Sequence, residues 1–320
     1  KLSEIKILQF KGKLFVFDDF YKKSNKRNIK FQVSKIRNVD NIKKKINKNS
    51  DAAIIYSSGS TGMPKGIIIP HKNFELGAKI VSKYLHTKKN DIIACVLSFN
   101  FDYGLNQLWQ SLLLGCKLCL YEIDFNQDFF RFCKEKKITA IPLMPVIISM
   151  LISKKQKSKN LNVKYICTSG GSVSKTMVVN LKKLFPNAKI YLMYGLTEAF
   201  RSSFLDPKKS LNKYYSIGKA IPGVKLNILN DNFSECKVGQ IGELVHRGGC
   251  VSSGYWKDKH STKKRFRVIS RFPKEITVFS GDLVKKDKSG DIIFISRKDS
   301  MIKTMGFRVS PSEIENQAIK

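Results

Sequence analysis

Short apolar segments alternate with amphipathic segments through the middle of the chain. Leu105, Leu108 and Leu112 recur at helical spacing behind one such apolar segment. Segments typical of strands lie at 92–97, 117–121, 139–141, 163–167 and 189–193, and segments typical of helices lie at 71–85, 127–134, 146–152 and 175–184. Strands that alternate with helices predict an α/β fold, with a mostly parallel sheet and flanking helices.

The pattern changes after residue 216, where short strand-like segments are separated by Gly, Asp and Asn. These segments lie at 225–229, 242–246, 277–279 and 291–295. They predict a smaller antiparallel, barrel-like β subdomain. The pattern therefore separates residues 51–215 from residues 216–295, with residues 1–50 as a first part before them and residues 296–320 as a last part after them.

The charge of the chain is extreme, because its 320 residues carry a net charge of +34. Residues 1–50 hold 15 Lys and Arg against 4 Asp and Glu, and the remaining positive excess is spread over the rest of the chain. A nucleic-acid groove would concentrate the charge and interleave it with aromatic side chains. We therefore expect a lysine-rich surface without a specific nucleic-acid partner. A nucleic-acid or anionic-surface binder is the alternative, and it rests on charge alone.

Seven scattered cysteines are typical of reduced thiols. Cys116 and Cys119 have C-x-x-C spacing, but they lie in a strand-like segment in which residues three apart face opposite sides. We therefore expect them to be structural rather than a metal or redox pair.

The sequence shows neither an opening secretory signal nor an apolar run long enough for a membrane helix. The first residues have no apolar core of a secretory signal, and no apolar run reaches the roughly 20 residues that a membrane helix needs. A soluble, cytoplasmic protein without a membrane span is the expectation. Because the chain begins at Lys1 and ends at Lys320 inside a predicted helix, we expect an internal fragment of a longer protein.

A polar, glycine-rich segment lies between apolar strand-like segments at 52–55 and 67–69. It spans residues 56–66 and reads Tyr-Ser-Ser-Gly-Ser-Thr-Gly-Met-Pro-Lys-Gly. Glycines allow close backbone approach, while hydroxyl and backbone N–H groups donate to phosphate oxygens beside a lysine charge. Lys65 is followed by Gly66 and a strand, not by the Ser or Thr and helix of a Walker A loop. The segment indicates an anion-binding loop, and a decorated hairpin loop is the alternative.

This segment closely resembles the phosphate-binding loop of the AMP-forming adenylate-forming ligases. That superfamily includes acyl-CoA synthetases, luciferases and the adenylation domains of nonribosomal peptide synthetases. The resemblance covers residues from about 51 to 320, with further motifs in matching order. It implies a catalytic role for Lys65. It also implies nucleotide binding by the loop residues Ser57, Ser58, Gly59, Ser60, Thr61, Gly62 and Lys65.

Two polar motifs follow predicted parallel strands, at the edge of the sheet where ligands of α/β proteins bind. The first is Thr-Ser-Gly-Gly-Ser at 168–172, and its glycines are nucleotide-binding candidates. The second is Tyr-Gly-Leu-Thr-Glu at 194–198, which resembles the superfamily element Tyr-Gly-x-Thr-Glu. The glycine candidates of the two motifs are Gly170, Gly171 and Gly195.

The second motif carries the most specific roles that the resemblance implies. Tyr194 would pack on adenine, the hydroxyl of Thr197 would contact the α-phosphate, and Glu198 would hold Mg²⁺. Mg²⁺ prefers hard oxygen ligands, which an ionised glutamate supplies. The alternative is a helix that is capped by Thr197 and has Glu198 in its first turn.

Further matches lie toward the end of the chain, where the resemblance makes 296–320 a hinge and the start of a truncated C-terminal lid. It implies that Asp282 binds the ribose hydroxyls, that Arg297 contacts the nucleotide and that Asp299 is the hinge. Gly306 would lie near the path of the thiol. Ser296 departs from the glycine that usually precedes the arginine.

The implied reaction joins a carboxylic acid to ATP, giving acyl-AMP and pyrophosphate, with ATP and Mg²⁺ as cofactors. A thiol then accepts the acyl group, either from CoA or from the phosphopantetheine arm of an acyl or peptidyl carrier protein. The catalytic lysine of the superfamily's C-terminal domain would lie beyond Lys320, so this chain alone is expected to be inactive. An inactive remnant that acts as a binding module is the alternative, although intact Lys65, Thr197 and Glu198 speak against decay.

The acyl substrate leaves two readings open. Phe101 and Asp102 resemble the pair with which amino-acid-activating members hold the substrate's ammonium group, and Met193 is expected in the same pocket. A buried carboxylate without a partner is costly, so a cationic substrate group would explain Asp102. The segment 308–311 instead resembles acyl-CoA ligases, and Asp102 would then cap a helix that begins near Tyr103. A generic acyl-CoA or carrier-loading ligase is slightly favoured.

Overall fold

The computed structural model describes residues 47–57, 64–123, 128–153, 161–298, 302–304 and 307–309. The helices in these ranges are α1 (His71–Leu85), α2 (Asp102–Leu114), α3 (Phe129–Glu135), α4 (Pro145–Ser153), α5 (Lys175–Leu184) and α6 (Lys259–Arg265). The strands are β1 (Asp51–Ser57), β2 (Lys65–Pro70), β3 (Ile92–Cys95), β4 (Lys117–Leu120), β5 (Ala140–Leu143), β6 (Tyr165–Thr168), β7 (Lys189–Leu196), β8 (Ala199–Leu205), β9 (Ser216–Ala220), β10 (Val224–Leu229), β11 (Ile241–Gly248), β12 (Gly254–Tyr255), β13 (Phe266–Ile269), β14 (Phe272–Lys286), β15 (Ile292–Arg297), β16 (Ile302–Thr304) and β17 (Phe307–Val309). Most of the predicted first part, residues 1–46, lies outside these ranges. Among the described helices, none has the length and apolar character needed to cross a bilayer.

The core of the chain is a parallel sheet with the strand order β4-β3-β5-β6-β7. The helices α2 to α5 connect consecutive strands of this sheet. Ile141, Ile166 and Ile190 lie side by side on neighbouring strands and are fully buried. Such apolar side chains give a parallel sheet the surface on which its flanking helices pack. The predicted α/β fold with a mostly parallel sheet and flanking helices is confirmed.

The predicted β-rich region continues this sheet instead of forming a separate one. β8 pairs antiparallel with β7, and β9, β15, β14, β11 and β10 follow in that order, with β13 also paired to β14. Twelve strands thus form one sheet within the described ranges. Its antiparallel character is confirmed.

The turn between β7 and β8 positions the second polar motif. β7 runs to Leu196 and β8 begins at Ala199, so Thr197 and Glu198 form a tight hairpin turn. The alternative of a helix capped by Thr197 is therefore wrong. The strand character of the flanking residues, with Phe200 fully buried, outweighs the capping signal that Thr and Glu present in isolation.

A second sheet of three strands has the order β1-β2-β12. Ser57 pairs with Lys65 at the ends of β1 and β2, so these strands hold the two ends of the predicted phosphate loop together. The loop residues 58–63 lie outside the described ranges. Tyr255 of β12 pairs with Ile67 of β2, which brings a distant segment beside the loop.

The segment before α2 is fixed by a close backbone approach. A Cβ atom at Gly104 would lie 2.1 Å from the carbonyl oxygen of Ser98. Only glycine therefore fits at this position in the first turn of α2. This contact holds residues 98–102 against the helix. These residues form one wall of the cavity described next.

Candidate active site

A cavity of about 870 Å³ lies beyond the carboxyl ends of β6 and β7. This is the edge at which ligands of parallel α/β sheets bind. β1, the segment 98–102 and the turn after β7 supply most of its lining. It brings together six of the residues proposed from the sequence, which are Ser57, Phe101, Asp102, Gly170, Gly195 and Thr197.

Asp102 lines the cavity as the first residue of α2 rather than as its cap. Phe101 occupies the N-cap position with extended backbone angles, φ −108° and ψ 146°. The alternative in which Asp102 caps a helix beginning near Tyr103 is therefore wrong. A carboxylate in the first helical turn is still favoured by the helix dipole, so its position has a partial structural reason.

Glu198 is buried beside the cavity and accepts a hydrogen bond from a residue distant in sequence. The hydroxyl of Tyr255 donates to Oε1 of Glu198 at 2.7 Å, and Nε of Arg265 lies 3.8 Å from the same oxygen. Lys65 lies near the other side of Tyr255, with its Nζ 5.4 Å from the ring centroid, and it donates to the hydroxyl of Ser261 at 2.7 Å. Tyr255 therefore links the two proposed catalytic residues, Glu198 and Lys65.

Three of the proposed nucleotide-binding residues form a buried hydrogen-bonded group. Asp282 and Arg297 are cross-strand partners on β14 and β15, and Nη1 of Arg297 lies 2.8 Å from Oδ1 of Asp282. The hydroxyl of Tyr194 donates to the other carboxylate oxygen, Oδ2. The carbonyl oxygen of Ser280 accepts from Arg297 at 3.0 Å and from Arg265 at 2.6 Å. Arg265 thus joins this group to Glu198.

A histidine that carried no sequence signal lies against this group. His246 on β11 is fully buried, and its ring stacks on Tyr194 with the centroids 5.9 Å apart. Neither ring nitrogen has a hydrogen-bond partner among the described residues. The pKa of His246 is lowered to about 3, chiefly because the ring is buried; Asp282 and Glu198 oppose this shift, and nearby Arg265 adds to it.

The remaining proposed residues lie elsewhere or outside the described ranges. Met193 is buried in the main core, where its sulfur accepts from the hydroxyl of Tyr84, and it does not line the cavity. Gly171 packs near Pro145 at the start of α4 and does not line the cavity either. The proposed residues outside the described ranges are Ser58, Gly59, Ser60, Thr61, Gly62, Asp299 and Gly306.

Comparison with protein families identifies the chain. The family model described as "AMP-binding enzyme" matches residues 7–256. The chain belongs to this family. Its resemblance to the AMP-forming ligases is thereby confirmed at the level of the superfamily.

Curated relatives of the chain are much longer proteins. It is 29% identical over 285 residues to bacitracin synthase 1 of Bacillus licheniformis, covering 87% of this chain and 5% of that protein. It is 27% identical over 320 residues to gramicidin S synthase 1 of Brevibacillus brevis, covering 98% of this chain and 27% of that protein. The chain thus spans a small part of the curated relatives that it matches.

Solved structures share the fold of the chain. VinN in complex with L-aspartate is 26% identical with a TM-score of 0.68, covering 79% of this chain and 61% of VinN. The o-succinylbenzoate CoA synthetase (MenE) of Bacillus subtilis with ATP and magnesium ion is 20% identical with a TM-score of 0.71. The match covers 86% of this chain and 56% of MenE. An artificially fused adenylation–PCP di-domain, NpsA-ThdA of Klebsiella oxytoca, is 24% identical with a TM-score of 0.73. The match covers 85% of this chain and 55% of the di-domain.

The donor set at this site offers Mg²⁺ one carboxylate, so phosphate oxygens and water would have to complete its coordination. No group of three or more His, Cys, Asp or Glu side chains is placed to hold a metal ion in the described ranges. Glu198 offers a single carboxylate, and Mg²⁺ commonly binds through one or two carboxylates plus substrate phosphates and water. Glu198 therefore fits the role of one ligand among several.

Sequence reasoning misses Tyr255, Arg265 and His246. The segment Gly254-Tyr255-Trp256 resembles a family element and predicts packing and turn features alone, but Tyr255 is hydrogen-bonded to Glu198. The resemblance of this segment to a family element is the sequence feature from which a role for Tyr255 could have been predicted. Arg265 and His246 belong to no motif, and only the three-dimensional pairing of their strands and helix reveals their contacts.

Proposed function

We propose that this chain is the nucleotide- and acid-binding part of an AMP-forming ligase. It would activate a carboxylic acid as acyl-AMP at the expense of ATP, with release of pyrophosphate. The observation that carries the proposal is the cavity beyond β6 and β7. One cavity is lined by Ser57 and Thr197, proposed for the phosphates, and by Phe101 and Asp102, proposed for the acid. A reaction between ATP and an acid requires both to lie side by side.

The residues of the chain would act mainly by stabilising charge. The Thr197 hydroxyl and the Lys65 ammonium group are donors for oxygens of the α-phosphate, on which charge develops as the carboxylate attacks. Mg²⁺, when bound, would supply further neutralisation of the phosphates. Glu198 would hold that ion, and the hydrogen bond from Tyr255 fixes one oxygen of the Glu198 carboxylate.

A thiol would then accept the acyl group, with CoA and a carrier protein as the two sources. The CoA synthetase MenE supports the first source, and the adenylation–PCP fusion of Klebsiella oxytoca supports the second. An amino-acid-activating domain of peptide-synthetase type is the second candidate function. The position of Asp102 on the cavity wall favours it, since a carboxylate there can face the ammonium group of an amino acid.

The test is ATP–pyrophosphate exchange by a longer natural protein that contains this chain, across amino acids and plain carboxylic acids. We expect exchange with at least one acid. Thr197→Val should lower that exchange by about 100-fold, as removal of one charge-stabilising donor typically does. Thr176→Val, at an exposed position of α5, makes the same change away from the cavity and should leave the rate unchanged. Bound Mg-ATP without exchange for any acid would reject the proposed activity.

Asp102 separates the two candidate functions. If Asp102 binds an ammonium group, Asp102→Ala should weaken substrate binding by about 1–3 kcal/mol, because a charged hydrogen bond is lost. The measurement is the KM of the amino acid in the exchange assay. An unchanged KM would make Asp102 structural and favour a plain carboxylic acid.

A further inference from the structure

Arg201 on β8 is a buried cation without an anion in the part of the chain that the structure describes. Arg201 is 3% exposed, and no ion pair joins its guanidinium group to an acidic side chain among the described residues. Another buried arginine, Arg297, is paired with Asp282 at 2.8 Å, and the partly buried Arg247 is paired with Glu275 at 2.7 Å. A buried guanidinium group is costly unless a partner compensates its charge.

The contacts that Arg201 does make are weak substitutes for an anion. Its Nη2 donates to the backbone oxygen of Asp102 at 3.4 Å, which is a long hydrogen bond. The guanidinium carbon lies 4.9 Å from the ring centroid of Tyr103 and 5.5 Å from that of Phe200. Nε is buried without an acceptor among the described residues. The rings attract the charge but accept little from the five N–H groups, so most of its donor capacity is unused.

Arg201 lies directly behind two residues of the cavity wall. The first is Asp102, whose backbone oxygen touches the guanidinium group. The second is Gly195, where a Cβ atom would lie 3.6 Å from the Cα atom of Arg201. Because Gly195 has no side chain, only backbone separates the cavity from β8 at this point. The contact of Nη2 with the backbone oxygen of Asp102 therefore places the guanidinium group one residue behind the wall of the proposed acid site.

We propose that Arg201 recognises a second carboxylate on the acid that this chain activates. This inference rests on the proposed function and names its substrate class, which is an acid with two carboxylates. One carboxylate would react at the phosphates near Thr197. The other would displace the long contact between the guanidinium group and the Asp102 carbonyl oxygen, and would then accept two parallel N–H bonds from Arg201. In an amino acid with an acidic side chain, the ammonium group would face Asp102. In a simple dicarboxylic acid, no charged group of the substrate would face Asp102.

The test compares matched pairs of non-reactive acyl-adenylate analogues for binding to the chain. The pairs are succinyl against succinamoyl and glutamyl against glutaminyl sulfamoyladenosine, so each pair differs only by a carboxylate and its neutral amide. We expect the charged member of one pair to bind about 10- to 100-fold more tightly, as for a hydrogen bond to a charged group. The pair that shows the difference distinguishes a dicarboxylic acid from an acidic amino acid.

Variants separate recognition from a structural role. Arg201→Met should abolish the preference for the carboxylate while the amide analogue still binds, and Arg201→Lys should keep part of it. Arg131→Met removes an exposed arginine of α3 and should leave the preference unchanged. If Arg201→Met fails to fold, the preference of the unaltered chain for the carboxylate analogue over its amide decides whether the inference holds.

Three outcomes would overturn the inference. They are equal binding within both pairs, tighter binding of the amides, and an undiminished preference in a folded Arg201→Met variant. Tighter binding of the amides would mean that Arg201 and the Asp102 carboxylate neutralise each other around an uncharged substrate. Failure of all four analogues to bind would instead reject the proposed function itself, and the inference with it.

Discussion

Replacing Arg297 with methionine should lower the free energy of unfolding by about 3–5 kcal/mol, the usual cost of breaking a buried ion pair from one side. Asp282 is fully buried and its Oδ1 lies 2.8 Å from Nη1 of Arg297. Methionine fills similar space but removes the cation and the donors to Asp282 and Ser280. Urea unfolding of the two proteins at neutral pH measures the difference.

A double-mutant cycle shows whether the pair itself is responsible. In an Asp282→Asn background the carboxylate charge is absent, so Arg297→Met should cost clearly less than it does alone. Arg131→Met again serves as the control, because Arg131 pairs with Glu135 on an exposed surface, where such pairs contribute little. Equal costs of Arg297→Met in both backgrounds would show that packing, and not the ion pair, holds this group together.

His246 should make the protein progressively less stable as the pH falls below about 6.5. Its pKa is about 3 in the folded protein and about 6.5 in an unfolded chain. In that range the unfolded state binds a proton that the folded state does not, so acid favours unfolding. The loss should reach about 2 kcal/mol between pH 7 and pH 5, at about 1.4 kcal/mol per pH unit once the unfolded histidine is charged.

The variant His246→Leu isolates this contribution. Leucine has no titrating group, so the free energy of unfolding of the variant minus that of the unaltered protein should rise as the pH falls. The variant also removes two buried nitrogens that have no partners among the described residues, which costs little or even stabilises. His260→Gln, which removes an exposed histidine of α6, serves as the matched control. A constant difference between His246→Leu and the unaltered protein would contradict the assignment.

The sequence predicts the repeating part of the fold well because burial there is periodic. The bounds of α1 and α5 agree with their predicted ranges, and the parallel strands differ from theirs by a few residues at their ends. In α1, Phe74, Ala78, Val81 and Leu85 are buried at spacings of three or four residues, which is the pattern typical of a helix packed on one face. The hairpin at Thr197 and Glu198 is harder to predict, because its turn residues also suit the start of a helix.

The site is less predictable, because its decisive contacts join residues that are distant in sequence. Motifs correctly indicate residues that line the cavity, such as Thr197 and Gly170. They do not indicate that Tyr255 donates to Glu198 across 57 positions, nor that Arg201 lies behind the cavity wall. An arginine three positions after Glu198 looks like any surface charge until the buried strand β8 is placed inside the sheet. Such contacts depend on strand order, which local patterns do not specify.

The wall proposed to face the acid and the buried ion pair proposed to bind the nucleotide are built from different parts of the chain. Residues 98–102 lead into α2, whereas Asp282 and Arg297 pair across β14 and β15. A designer could therefore exchange the short 98–102 segment, keeping the Gly104 contact, to accommodate a new acid without disturbing the pair. Evolution has the same freedom. Under the proposed roles, selectivity for the acid and affinity for the nucleotide would change by separate substitutions, each at little cost to the other.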